Sequence, residues 1–155
     1  MRSLVPHPAR LWWWSTRLHA RGVPLLPRLI KLLNFAIFHA VLPPEARIEP
    51  DLRLEHYGLG IVIHPNTTIG RNVKIWHNVT LAAETNVGSP HRLVVEDGVM
   101  IGASAQIIAR VDQSLRLGKG CSIGAGAVVT RSVAPGATVI GVPARPVQRG
   151  PGDAG

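Results

Sequence analysis

The chain is poor in the residues that usually announce a chemistry. Among its 155 residues there is one cysteine, Cys121, so no disulfide can close within the chain and no multi-cysteine zinc site can be built. A lone thiol suits a reducing compartment, and a cytoplasmic location is the expectation. Aromatic residues make up 5%, too few for a core of large rings, whereas 16 Gly and 13 Pro promise many turns. Acidic residues are scarce as well: 9, against 17 Lys and Arg, for a formal charge of +8. No aromatic-interleaved RNA motif and no helix-turn-helix pattern accompanies that charge, which argues against nucleic acid as a partner. No His, Asp or Glu cluster has ligand spacing, so no metal is expected.

Long uninterrupted apolar runs are missing too. The best candidate, Leu25 to Leu42, contains Arg28 and Lys31, each worth roughly 2.5–3.5 kcal/mol against burial at mid-bilayer. Pro27 and the same charges break it as a secretory signal. Arg28, Lys31, Asn34 and His39 fall on a helical stripe, which predicts an amphipathic helix whose wide apolar face packs on protein, in an oligomer before a membrane. The positive charge is concentrated nearby. Residues 1–47 hold Arg2, Arg10, Arg17, Arg21, Arg28, Lys31 and Arg47 against Glu45 alone, a balance of +6 that leaves +2 for the other 108 residues. With "RLWWWSTRL" in front, residues 1–42 form a basic, apolar, helical segment suited to peripheral contact with a membrane surface or an acidic protein.

What the chain does have is a rhythm. Ile48 and Leu54, then Ile63, Ile69, Ile75 and Leu81, then Val95, Ile101 and Ile107, then Leu117, Ile123 and Val129 recur every sixth residue within each run. Three residues after an aliphatic stand Asp51, Asn66, Asn72, Asn78, Gly98, Ser104, Gly120, Gly126 and Ser132, types that tolerate a tight turn. Four residues after it stand Leu52, Thr67, Val73, Val79, Val99, Ala105, Cys121, Ala127 and Val133, all compact. A turn every six residues with one bulky aliphatic facing inward builds short strands that stack coil on coil, the hexapeptide repeat of a parallel β-helix. Cys121 takes an inward compact position and is read as packing. The β-helix spans residues 43–147, and 148–155 form a flexible tail.

The rhythm is interrupted three times. The step from Leu54 to Ile63 holds three extra residues around "HYGLG", that from Leu81 to Val95 eight extra around "AAETNVGSPHR", and that from Ile107 to Leu117 four extra around "ARVDQS". Insertions in a solenoid are where working loops emerge. Two of the three carry a histidine, His56 and His91, the usual proton-transfer residue near neutral pH. His64 and His77 sit on regular coils and read as surface or turn residues.

These residues resemble a known family. "LEHYGLGIVIHPNTTIGRNVKIWHNVTLA", "PHRLVVEDGVMIGASAQI" and "IGAGAVVTRSVAPGATVIGVPARPV" look like a hexapeptide-repeat acyltransferase of the serine acetyltransferase type, over roughly Pro43 to Val147. The resemblance implies a mainly β protein, a left-handed parallel β-helix with a short helical N-terminal segment, assembled as a homotrimer with active sites in clefts between coils. It implies acetyl-CoA as co-substrate and a small hydroxylated acceptor, L-serine first. By the same resemblance His56 is the general base, His91 binds and orients the acceptor, and Glu55 engages its amine. Arg92 follows His91 as a further substrate-binding residue, since Pro90 stands where an arginine is usual. Ala103, Ser104 and Ala125 line the pantetheine channel. Gly141, Val142, Pro143 and Arg145 close over the nucleotide, with Arg145 toward phosphate.

Several positions depart from the family pattern. Val41 stands where an aspartate usually partners the base histidine, Glu55 where aspartate is usual, and four residues are added before Leu117. The chain ends "GPGDAG", without the isoleucine by which some relatives dock onto the next enzyme of cysteine synthesis, so that partnership is not expected. Two other readings stand beside serine acetylation: acetylation of a sugar or secondary-metabolite hydroxyl, and a non-catalytic trimeric scaffold working through its basic N-terminus.

Overall fold

The computed structural model describes residues 7–147; Arg2 and the segment 148–155, expected as a tail, lie outside the described residues. Two helices come first. In α1 (Pro8–Ala20), Pro8 occupies the start, where its missing N–H costs nothing, and the His7 ring caps the helix by accepting the Ala9 N–H. Trp12 is fully buried and its indole donates to Pro43 O at 2.8 Å, which ties α1 to the first coil. Ser15 Oγ donates to Pro27 O at 3.0 Å and ties α1 to α2 (Leu26–Phe38).

The aliphatic repeat then folds as three parallel sheets forming the sides of a β-helix. The first holds β1 (Arg47–Ile48), β4 (Thr67–Ile69), β7 (Leu93–Val95) and β10 (Leu115–Leu117). The second holds β2 (Arg53–Leu54), β5 (Lys74–Ile75), β8 (Met100–Ile101), β11 (Ser122–Ile123) and β13 (Thr138–Ile140), closed by the antiparallel β14 (Arg145–Pro146). The third holds β3 (Val62–Ile63), β6 (Thr80–Ala83), β9 (Gln106–Ala109) and β12 (Val128–Val129). Register follows the rhythm directly: Ile48, Ile69, Val95 and Leu117 align on one side, Leu54, Ile75, Ile101 and Ile123 on the next, and Ile63, Leu81, Ile107 and Val129 on the third. All twelve are buried, as are the compact positions from Leu52 to Val133. Bulky aliphatics from three sides therefore fill one axial core.

One expectation is refined and another corrected. Of the residues placed at turns, Asn72, Asn78, Ser104, Gly98, Gly120 and Gly126 take positive φ, but Asp51, Asn66 and Ser132 do not. Asn66 is instead buried and reaches into the second insertion. The correction concerns α2, whose inward residues are Pro27, Asn34 and Phe38. Leu25, Leu29, Leu32, Leu33, Phe35 and Ile37 stay exposed, so nothing among the described residues covers the wide apolar face. The polar stripe fails to mark the outward side because α1, tied through Ser15 to Pro27 O, packs on the face that carries Asn34. Among the described residues, no helix is long and apolar enough to cross a membrane.

Candidate active site

The first insertion forms a tight turn between the second and third sheets. After β2 the chain enters a single 3-10 turn, Glu55–Gly58, in which His56 (φ 52°, ψ 41°) and Tyr57 (φ 57°, ψ 20°) are both left-handed. For two bulky residues this conformation costs on the order of 1–3 kcal/mol each, and it persists only where surroundings impose it. They do so from both sides. Tyr57 stacks on Phe38 with ring centroids 6.1 Å apart and 3° between planes, and faces His7 at 5.8 Å. Beyond the turn, Gly60 has positive φ and would drive a Cβ into the Asn78 side chain of the coil above, so glycine suits that place. Asn78 N–H in turn donates to Leu59 O at 2.7 Å.

Glu55 lies 3.7 Å from Arg53 Nε, a half-exposed pair of little energetic weight. Burial pushes the His7 imidazole below its ordinary range, opposed by the Glu55 charge and by a hydrogen bond to the Leu54 backbone. The start of α1 is therefore part of the wall beside Glu55.

Stacking carries this corner upward. Register pairs Leu54 with Ile75, so the residues two places on, His56 and His77, lie one above the other. Their ring centroids are 5.0 Å apart at 86°, close to the roughly 4.8 Å between paired strands. At the same offset on the following coils stand Ala103 and Ala125. Both line a shallow apolar groove of about 350 Å³ together with Trp76, Met100, Gly102, Ser122 and Ile123. Its floor is tight: a Cβ on Gly102 would come 2.6 Å from Ala125 N. Ser104 belongs to the adjoining turn (φ 59°) and donates its N–H to His77 O at 3.0 Å. Past the groove, Gly141 accepts from Val128 N–H and Ala144 donates to Val128 O, which folds the 141–145 turn back on β12. Arg145 is exposed and its Nη1 donates to Ala144 O. Val142 and Pro143 are exposed in the same turn.

His91 stands elsewhere. The second insertion, 82–92, leaves the third sheet and enters the first, a different corner of the β-helix. Asn66 holds it: its amide donates to Asn86 O (2.8 Å) and His91 O (3.4 Å), and its carbonyl accepts Gly88 N–H (2.9 Å). His64 supports Asn66 by accepting its N–H on Nδ1 at 3.1 Å. Burial pushes the His64 imidazole down, against a hydrogen bond to Thr85 O. Arg92 turns back onto β4, with Nε on Thr68 Oγ1 at 2.9 Å and Nη2 on Thr67 O at 3.0 Å. The third insertion occupies the same corner one coil on, and Thr85 Oγ1 donates to Asp112 across the two.

Glu55, His56, Ala103, Ser104, Ala125 and the Gly141–Arg145 turn thus share one corner, and His91 and Arg92 occupy another. Reading the sequence missed His77, Asn66, His64 and His7. For His77 a signal existed, because it has the same offset from its aliphatic as His56. Among the described residues, no group of three His, Cys, Asp or Glu side chains could hold a metal.

No protein-family model matches the chain. The serine acetyltransferase of Escherichia coli is 36% identical over 134 residues, 86% of this chain and 45% of that protein. The chain is homologous to the serine acetyltransferases. Solved structures of that group agree. A Neisseria gonorrhoeae serine acetyltransferase in complex with serine superposes with a TM-score of 0.81 at 34% identity, over 92% of this chain and 56% of that one. A Brucella abortus serine acetyltransferase in complex with coenzyme A gives 0.78 at 29% identity, over 88% and 53%. The chain spans about half the length of the curated serine acetyltransferases it matches.

Proposed function

We propose that this chain is an acetyl-CoA-dependent O-acetyltransferase that acylates the hydroxyl of L-serine. The observation that carries the reading is a single corner where His56 heads a line of coils running into an apolar groove floored by Gly102, Ala103 and Ala125. Such a groove suits a pantetheine arm, and the Gly141–Arg145 turn beyond it suits the nucleotide, with Arg145 toward phosphate. The complexes of the homologous enzymes with coenzyme A and with serine support both substrate assignments.

In this reading His56 takes the proton of the acceptor hydroxyl as its oxygen attacks the thioester carbonyl carbon. The C–S bond breaks as the tetrahedral intermediate collapses, and the imidazolium returns its proton to the departing thiolate. The thioester is already activated, so positioning supplies on the order of 7–11 kcal/mol and the base roughly 10²–10⁴-fold. His91 orients the acceptor and Glu55 meets its amine.

His56 and His91 stand at different corners of one chain, so a site using both draws His91 from a second copy. We therefore propose the homotrimer, and the uncovered apolar face of α2 is surface available for such assembly. A cytoplasmic setting fits a soluble co-substrate and the single reduced thiol. One observation favours a second acceptor class: the Arg92 guanidinium is engaged by Thr67 and Thr68, which suits a sugar hydroxyl without a carboxylate.

The test follows free thiol released from acetyl-CoA with L-serine, homoserine and a small sugar panel. Release with serine that collapses in His56→Ala supports the proposal. Release with a sugar alone replaces serine while keeping the base, and no release from folded protein with any acceptor overturns the reading.

A further inference from the structure

His77 is unexplained by the proposed chemistry, yet it is the side chain nearest in register to His56. Its ring touches the His56 ring edge to face at 5.0 Å. Its Nδ1 is buried and has no hydrogen-bond partner among the described residues. Leaving a buried polar atom unmade costs about 1–3 kcal/mol, so an imidazole kept there needs a reason. The corner itself provides none, because the equivalent places on the next two coils are filled by Ala103 and Ala125.

The backbone at His77 is unusually well fixed. Its carbonyl accepts Ser104 N–H from the coil above, and the adjacent Asn78 donates to Leu59 O in the coil below. His77 is thus a platform clamped between two coils, while His56 sits in a strained left-handed turn. No carboxylate in the described hydrogen-bond network meets the His56 ring, and Val41 brings no acceptor. A base histidine needs its ring orientation and tautomer set by a neighbour.

We propose that His77 is the positioning residue of His56: its imidazole holds the His56 ring at a fixed angle and selects which ring nitrogen is free to accept the hydroxyl proton. His77 does not itself touch substrate. The inference rests on the acetyltransfer reading for its kinetics but not for its spectroscopic test.

The experiment compares wild type, His77→Phe and His77→Gln as full chains. Phenylalanine keeps the ring and the edge-to-face packing but has no nitrogen; glutamine restores a donor and an acceptor. The expected result is a loss of about hundredfold in kcat for His77→Phe, with KM for acceptor and acetyl-CoA within about twofold and the melting temperature little changed. Glutamine recovers a substantial part. In parallel, ring-nitrogen NMR of His56 at about pH 9, where free imidazole is neutral, shows one tautomer in wild type and an averaged pattern in His77→Phe. Unchanged His56 nitrogens in His77→Phe overturn the proposal, as does unchanged kcat in an active enzyme. If wild type fails to turn over, the acetyltransfer reading falls while the nitrogen spectra still decide the role of His77.

Discussion

The turn that carries His56 and the loop that carries His91 interrupt the same scaffold and are held in different ways. Three extra residues make a turn too short to move. Its backbone is bent into the left-handed region, and Tyr57 is caught between Phe38 and His7 from the helical segment. Eight extra residues make a loop that would wander without outside support. Asn66, itself seated by His64, supplies three hydrogen bonds to it, and Arg92 clips its end to β4. Short insertions are positioned by strain and packing, long ones by buried polar side chains reaching from the regular coils. A β-helix can therefore hold one reactive group by compression and another by tethering, at separate corners.

Removal of the compressed group should have the largest effect on turnover. His56→Ala is expected to lower kcat by roughly 10²–10⁴-fold with an unchanged thermal transition, measured by thiol release and calorimetry on the same preparation. A core truncation away from both corners should show the opposite profile. Leu117→Ala, fully buried between Val95 and Val133 on the first sheet, should cost about 2–5 kcal/mol of stability, with turnover per folded molecule within about twofold of wild type.

The tether should lie between those extremes. Asn66→Ala frees Asn86, Gly88 and His91 at once, and loss of the bonds of a buried amide costs about 1–3 kcal/mol. Acceptor kcat/KM should fall by up to about hundredfold through misplacement of His91, and hydrogen exchange should rise across 85–92 while the strands stay protected. Equal exchange in loop and strands would remove the distinction drawn above.

The smallest effect concerns Cys121. Burial pushes its thiol up to about 11, above the roughly 8.5 of a free thiol. The fold thus favours the protonated form: its contribution is complete below about pH 8.5 and declines as pH rises toward the folded value. Stability should fall between those limits more steeply in wild type than in Cys121→Ala, read from melting temperatures across the alkaline range.

The sequence shows the scaffold almost completely, because each coil repeats the same demand: an aliphatic inward, a compact residue four places on, and a turn between. Ile48 to Val129 pair in register as the rhythm requires. The groove residues Ala103 and Ala125 were legible through family resemblance. The relationships between coils were harder to see. His77 looks like an ordinary turn residue until stacking puts it over His56, and Asn66 looks like another turn asparagine until the loop folds onto it. The orientation of α2 was hidden for a related reason, since a polar stripe marks the outer side only when no neighbour claims it. Asn34, buried with its amide unpartnered, shows that tertiary packing decided the face.

The central claim is that His56 and His91 complete a site only across two copies. Mixing His56→Ala chains with His91→Ala chains, each inactive alone, tests it directly. Random trimers formed by co-refolding equal amounts should regain about a quarter of wild-type turnover, since a mixed trimer contains one intact pairing. No recovery in mixed assemblies shown by mass to be trimers would contradict the account.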